Sequence, residues 1–365
     1  MGSRRGGWLM LVCLILIFTG SRVLTRNLQI LWWATRLTFN SYKIYRHMTR
    51  IFHTAGDPAL ARRTLRLYVQ VVGKAHEAGG VGVGGADADT DRNWVETLVW
   101  GARMLCRLAA AGDSTGGADD AREAGALIEK AKTRLDPSDN QLASSIHLAE
   151  GVQNTTLALL AHDPRSRPTH LADALVHLAA AVQTAPTPAG YYHLALAFAR
   201  AGPQQDLDAA ITCASAAVEG RGRDVRFWHL LGLVLSAQGR WKEARGVLEV
   251  GAEVGEEVGG EEEIPSKSPP LFLLDKDSPS IPPSSTLLLP TPDYPTPSRQ
   301  DTFEHAMQLR MTQLALAEFV EGAEGAGVRW VEVFGWVADR KGVVGEQREF
   351  FSERGEVGYI GLTDH

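Results

Sequence analysis

The sequence predicts an all-α chain built as an α-solenoid, and three observations carry that prediction. One spacing of large and small residues recurs along the chain at consistent offsets. Alternating Val/Ile/Thr runs bounded by turn residues, the mark of strands, do not appear. Hydrophobic residues make up 44% of the 365 positions, with many Ala and Leu. That is enough for neighbouring helix pairs to bury a continuous core.

Taken in order, residues 1–26 form an apolar and basic N-terminal segment. Arg4-Arg5 precede an apolar run from Trp8 to Phe18, shorter than the roughly 20 residues a membrane-spanning helix needs. The layout matches a secretory signal, with Thr19-Gly20-Ser21 as its cleavage site, and equally matches a gene-model artefact that adds a foreign first exon. Cysteine use argues against secretion. Cys13, Cys106 and Cys213 show no pairing pattern. Asn154-Thr155-Thr156 is a formal glycosylation sequon, but it falls on a predicted helix.

Residues 27–256 read as helical repeats. The first pair, near 34–54 and 58–75, sets Tyr45, Met48, Phe52 and Gly56 against Ala61, Leu65 and Tyr68. A Gly- and Asp-rich loop, Gly79 to Asp91, follows. The second pair, near 93–111 and 118–135, carries Ala124-x3-Ile128-x2-Ala131 and then Pro137. The third, near 139–162 and 168–185, repeats it as Ala174-x3-Leu178-x2-Ala181 and then Pro186. The fourth, near 189–201 and 206–219, has Leu194, Phe198 and Gly202 on its first helix and Ala210, Ala214 and Ala217 on its second.

The fifth pair, near 224–238 and 240–256, is the clearest: Trp228-x2-Leu231-Gly232-x6-Gly239-x4-Ala244-x3-Leu248. This is the spacing of a tetratricopeptide repeat, a helix-turn-helix of about 34 residues. Each small residue sits where two helix backbones approach closely, and each large one fills the gap opposite. Replacing Gly232 by Leu is therefore expected to overpack the pair, at about 1–3 kcal/mol. The fold class predicted is a tetratricopeptide-repeat superhelix, its concave face lined mainly by first helices.

Residues 257–300 interrupt the stack. They open with Glu261-Glu262-Glu263 and hold ten prolines between Pro265 and Pro297, which rules out a regular helix or strand. A disordered loop is expected, with Ser268-Pro269, Ser278-Pro279, Thr291-Pro292 and Thr296-Pro297 as the dipeptides that proline-directed kinases use. A further pair is expected within 301–340, near 301–321 and 327–340. An irregular tail from 341 to 365, without a repeat signature, reads as a truncation or frame error.

Signals for chemistry fail one by one. Gly80-x-Gly82-x2-Gly85 matches a dinucleotide fingerprint, but follows a helix, and Asp87, Asp89 and Asp91 after it would repel a pyrophosphate. Those aspartates open like a calcium loop, yet Arg92 stands where Gly is needed and Leu98 where Glu is needed. His147, His170, His177, His193 and His229 are scattered along the predicted helices. No catalytic, cofactor-binding or metal-binding residue is assigned, and the chain reads as a non-enzyme. The residues that carry the structure are Trp228, Leu231, Gly232, Ala244, Leu248, Leu194, Ala210, Ala174, Leu178, Ala124, Ala61 and Leu65.

Charge is uneven. Eleven Lys/Arg face the single Asp57 between Met1 and Arg66, in a chain of net charge −6. The basic end suits contact with an anionic membrane surface, or merely places Arg36, Lys43, Arg46 and Arg50 towards solvent on the first helices. Nucleic-acid binding is not expected, because no recognised motif is present and the overall balance is acidic.

Several strings carry a resemblance. They include Leu67–Gln70, Trp94-x5-Trp100-Gly101-x-Arg103-Met104-Leu105-Cys106-Arg107 and His147-Leu148-Ala149-Glu150-Gly151. The most particular are Val225-Arg226-Phe227-Trp228-His229-Leu230-Leu231-Gly232-Leu233 and Leu309-x-Met311-Thr312-Gln313-Leu314, with Trp330-Val331-Glu332. Over roughly Leu28 to Arg340 the chain resembles the fungal cargo-transport tetratricopeptide-repeat family, related to scaffold subunits of the plasma-membrane phosphatidylinositol 4-kinase complex. The resemblance implies a non-catalytic scaffold, cytoplasmic and peripheral at the plasma membrane, acting in endocytosis and cargo transport. Its implied partners are a phosphatidylinositol 4-kinase and a membrane-anchored adaptor. The alternative is a secreted or membrane-anchored helical-repeat binding protein.

Overall fold

The computed structural model describes Leu31 and residues 41–78, 89–111, 116–160, 163–257 and 299–357, with the side chains of 301–340 in the last stretch. The apolar run Trp8–Phe18, Arg36, most of the 79–91 loop and the 258–298 segment lie outside these residues. Among the described residues there are eleven helices and no strand. They are α1 (Tyr42–Thr54), α2 (Pro58–Ala78), α3 (Asp91–Ala111), α4 (Gly117–Lys132), α5 (Asn140–Leu160) and α6 (Ser166–Thr184). Then come α7 (Pro188–Ala199), α8 (Leu207–Gly220), α9 (Val225–Ala237), α10 (Trp241–Glu257) and α11 (Arg299–Val357).

Short polar side chains start these helices by accepting the backbone N–H groups that have no partner within the helix. Asp57 Oδ1 accepts from Leu60 N at 2.9 Å, Asp139 Oδ1 from Leu142 N at 3.0 Å and Asp206 Oδ1 from Ala209 N at 2.9 Å. Thr187 Oγ1 does the same for Gly190 N at 3.1 Å, with Pro188 at the first helical position. The turns from α1 to α2 and from α9 to α10 are the same turn. Gly56 and Gly239 sit at φ 78° and 77°, where a Cβ would be strained. Asp57 N then donates to Phe52 O at 2.9 Å, and Arg240 N to Leu235 O at 3.0 Å. This 6→1 closure satisfies the last carbonyls of the first helix.

The helices pack as all-α antiparallel-type neighbours: α1 on α2, α5 on α6, α7 on α8 and α9 on α10, with α4 on α5, α6 on α7 and α8 on α9 joining one pair to the next. Small-on-large contacts set their spacing. A Cβ at Gly232 would lie 2.5 Å from Leu248 Cδ2, and one at Gly151 would lie 2.5 Å from Leu178 Cγ. Both helix pairs therefore come closer than an alanine would allow. Of the residues singled out for packing, Ala61, Ala124, Ala210, Ala244 and Leu248 are fully buried. Leu65, Ala174 and Leu178 are nearly so, and Leu194 and Leu231 are also buried. Trp228 is half-buried against the core that holds Leu231 and Leu248, and its Nε1 donates to Gly222 O at 2.6 Å.

The chain divides into two compact units. One holds α1, α2, α3 as far as Thr97, and α11 up to Thr302 and from Val328; the other holds the rest of α3, α4 to α10 and Phe303–Gly327. In the first unit, Met48, Phe52, Ala61, Leu65 and Tyr68 form the core. Buried within it, Asp89 accepts from Tyr68 Oη at 2.7 Å, from Asn93 Nδ2 at 3.0 Å and from Arg46 Nη1 at 3.4 Å. Arg46 is thus no solvent-facing charge: its side chain is 5% exposed and that of Asp89 is 3% exposed. The spacing of α1 gave no hint of this, because Asp89 arrives from a different segment.

In the second unit the core of α7 to α10 takes in Leu309 and Leu316 of α11, and Gln313 Nε2 donates to Leu248 O at 2.8 Å. Within 301–340, where a pair is expected near 301–321 and 327–340, α11 is two helical stretches that meet at a break at Gly322, with φ 80° and ψ 178°. Helix continues through Val357, where an irregular tail is expected. Gly342, Gly345 and Gly355 suggest loop, but no proline stands between Arg299 and Val357 to stop a helix.

No helix among the described residues is long and apolar enough to cross a membrane. The sequon residues lie inside α5, where Thr156 is buried and its hydroxyl donates to Val152 O at 2.8 Å. A glycosylation acceptor needs a surface loop, so this stretch does not present one.

Candidate functional site

Repeat packing uses one side of each first helix and leaves the other side chains of α3, α7 and α9 for other work. Arg103 and Arg107 stand one turn apart on α3, His193 on α7, Arg200 just after α7, and Arg226 at the start of α9. Arg103 and Arg226 are buried, unusual for a group that is expensive to take from water. Arg226 is anchored locally. Its Nε donates to Asp224 Oδ1 at 2.8 Å, and its guanidinium lies 5.8 Å from the Tyr192 ring, which in turn meets Phe227 at 4.9 Å. Asp224 also caps α9, accepting from Arg226 N at 3.2 Å. Burial pushes the Asp224 carboxyl up, but the Arg226 hydrogen bonds and charge outweigh it and hold the group below its usual range.

These guanidiniums act on His193. Burial first, then the charges of Arg103, Arg226, Arg200 and Arg107, hold the His193 imidazole well below its ordinary pKa. Burial and Arg167 likewise lower Arg200. Arginines on α3, just after α7 and on α9 thus set a positive potential at His193, in a chain of net charge −6. A neutral His193 adds no charge, so the attraction comes from the guanidinium forks, whose planar donor geometry matches carboxylates. Reasoning from the sequence missed this cluster. Its signal was the pair Arg103 and Arg107 at i, i+4, together with Arg226 inside the string Val225-Arg226-Phe227-Trp228.

A second cluster lies on α5 and α6. Glu150 Oε2 meets His147 Nδ1 at 3.2 Å and His177 Nδ1 at 3.1 Å, while Glu150 Oε1 is bonded by Lys132 Nζ at the end of α4. Burial works against the Lys132 charge, but its hydrogen bonds to Glu129 and Glu150 prevail and raise its pKa. Histidines that look scattered in sequence are therefore not all apart in space: two of them share a carboxylate. The cause is the Gly151–Leu178 contact, which brings neighbours of those two residues, Glu150 and His177, together across the helix pair.

The packing residues Leu231, Gly232, Ala244 and Leu248 sit in the interior of the second unit, with Trp228 half-buried against that core, and none belongs to either cluster. Cys106 is buried, its thiol pushed up to about 12 by that burial; it is inert as a nucleophile.

No protein-family model matches the chain, and no curated protein matches it. Solved structures do. The MamA protein is 15% identical, over 62% of this chain and 97% of that one, with a TM-score of 0.35. MamA 41-end from Desulfovibrio magneticus RS-1 is 19% identical, over 60% and 96%, with a TM-score of 0.36. The TPR2AB-domain:pHSP90-complex of yeast Sti1 is 16% identical, over 62% and 83%, with a TM-score of 0.23. Likeness at this level ties the chain to none of them in function. The all-α tetratricopeptide-type fold stands on the helix pairs and their small-on-large contacts.

Proposed function

We propose that this chain is a non-catalytic scaffold that holds an acidic segment of a partner protein against the half-buried Arg107 and Arg200, with the charges of the buried Arg103 and Arg226 adding to the attraction. What supports this reading is that the charges of Arg103 and Arg107 on α3, of Arg200 just after α7 and of Arg226 on α9 all bear on the buried His193. Repeat folds present first helices side by side, a geometry suited to an extended or helical ligand. Carboxylates on that ligand would fix its register through bidentate pairing with the exposed guanidinium edges.

The partner proposed is a phosphatidylinositol 4-kinase, bridged to a membrane-anchored adaptor at the cytosolic face of the plasma membrane, in support of endocytosis and cargo transport. What supports it is the set of strings that resemble the fungal scaffold family, above all Phe227-Trp228-His229-Leu230-Leu231-Gly232 and Met311-Thr312-Gln313-Leu314. The basic N-terminal end, reduced by the pairing of Arg46 with Asp89, would add attraction to anionic lipid.

The test is co-precipitation of the full chain from native membranes, alongside a variant carrying Arg107→Glu and Arg200→Glu. Recovery of a phosphatidylinositol 4-kinase with the wild type, and its loss with the variant, is expected. Equal recovery with both would remove the arginine cluster from the interface. No kinase with either would remove the kinase reading, and binding of a polyglutamate peptide by fluorescence anisotropy would then decide whether the acidic-segment reading survives.

A further inference from the structure

We propose that His147, Glu150 and His177 form a zinc-binding site that clamps α5 to α6. One donor atom from each residue lies within 4.8 Å of the other two. The two imidazole nitrogens stand 3.2 and 3.1 Å from the same carboxylate oxygen, Glu150 Oε2. Zinc holds nitrogen and oxygen ligands at about 2.0–2.2 Å, so neighbouring ligands of a tetrahedral ion sit about 3.3 Å apart. Two of the three edges are therefore already near the length the ion requires, and a small opening of the cluster admits it.

The surroundings fit a metal in three further ways. The two rings lie nearly parallel, with centroids 6.1 Å apart and planes at 25°, flanking the carboxylate from two helices. Both histidine side chains are about a third exposed, at 37% and 31%, while Glu150 is held at 9%. Water can therefore take the fourth position while the carboxylate stays fixed. Lys132 bonds the other oxygen, Oε1, which leaves Oε2 as a one-handed ligand and orients it, the part that outer-shell partners play around metal ions. Because a Cβ at Gly151 would strike Leu178 at 2.5 Å, the approach that assembles the three donors is fixed by packing before any ion arrives.

The donor set selects the ion. Two imidazoles and one carboxylate suit zinc and its borderline neighbours, while magnesium and calcium seek six or more oxygens and find one carboxylate here. The consequence is structural. A bound ion joins the two helices of the third pair at their surface, next to the buried contact that already joins them.

The site stands apart from the arginine cluster, so it can be tested alone. The untagged full chain is titrated with zinc chloride by isothermal titration calorimetry at pH 7.5. Variants His147→Ala, His177→Ala and, as a control elsewhere on α6, His170→Ala are run beside it, with far-UV circular dichroism on each. One zinc per chain is expected, unaffected by magnesium, retained in His170→Ala and weakened at least about 100-fold in the other two. No stoichiometric binding, or equal binding in all the variants, overturns the site. Should a histidine variant lose its helical signal, cobalt(II) added to the wild-type chain decides instead. Intense d–d absorption of four-coordinate cobalt supports the assignment, and the weak absorption of octahedral cobalt sinks it.

Discussion

Replacing Gly232 with alanine adds one methyl group at the tightest contact of the fifth helix pair. The new Cβ would lie 2.5 Å from Leu248 Cδ2 and 2.6 Å from its Cγ. Carbon atoms in contact prefer about 3.5–4.0 Å, so the overlap is about 1 Å. Leu248 is fully buried among Leu231, Ala244 and Leu309, and its branch carbon cannot swing aside as a chain end could. Overpacking of this kind costs about 1–3 kcal/mol, and this overlap belongs at the upper end. Alanine repays about 1 kcal/mol through helix propensity. A net loss of about 2 kcal/mol is expected. The companion change Leu248→Ala costs about 2–5 kcal/mol by itself, but in that background the methyl at 232 meets open space. Gly232→Ala should then stabilise by about 1 kcal/mol. Gly246→Ala on the exposed face of α10, where a Cβ meets nothing within 4 Å, should stabilise by about as much in either background. Urea unfolding followed by circular dichroism and tryptophan fluorescence measures each of these differences. If Gly232→Ala stabilises like Gly246→Ala, or costs the same with and without the Leu248 side chain, the packing described is wrong.

Three further outcomes are expected. Asp89→Ala strips the buried Arg46 of its carboxylate and Tyr68 of its acceptor; a loss of about 3–5 kcal/mol in urea unfolding follows, and a loss under 1 would mean water replaces the carboxylate. Burial, with Arg46 and Arg50 adding to it, holds folded His47 at about 4, against about 6.5 unfolded. Between those values the unfolded chain binds more protons, so stability is whole above pH 6.5 and drains away as pH falls towards 4. The urea midpoint should fall from pH 7.5 to 5.0, and fall less in His47→Gln; a rise on acidification contradicts this. Asp206→Ala removes the cap of α8 and should cost about 1 kcal/mol, while Asp206→Asn should be nearly neutral.

Much of the fold was legible because its signals are local. The offset from Gly56 to Ala61 equals that from Gly239 to Ala244, and the same closed turn forms at both places. The caps Asp57, Asp139, Thr187 and Asp206 stand directly before their helices, where a reader of the sequence could have found them. What was hidden depended on distance across the chain. Asp89 reaches Arg46 over 43 positions, and His177 reaches Glu150 from the neighbouring helix, so no spacing within one helix reveals either meeting. The arginine cluster is hidden for the same reason, since Arg103 and Arg226 lie far apart in sequence and both bear on His193 of a third helix. Glycines misled at the C-terminal end, where three of them in a run without proline do not stop α11.

The order of packing along α4 to α10 also bears on how the chain is made. Each of these helices rests chiefly on the one before and the one after, so the contacts are short-range in sequence and contact order is low over this stretch. Such segments find their partners quickly, without waiting for distant parts of the polypeptide. During synthesis, α5 and α6 have what they need to associate as soon as they leave the ribosome, well before α11 exists. Leu309 is the exception: it joins the α9–α10 core from beyond the 258–298 segment, so that contact can form only after the rest of that core has been synthesised.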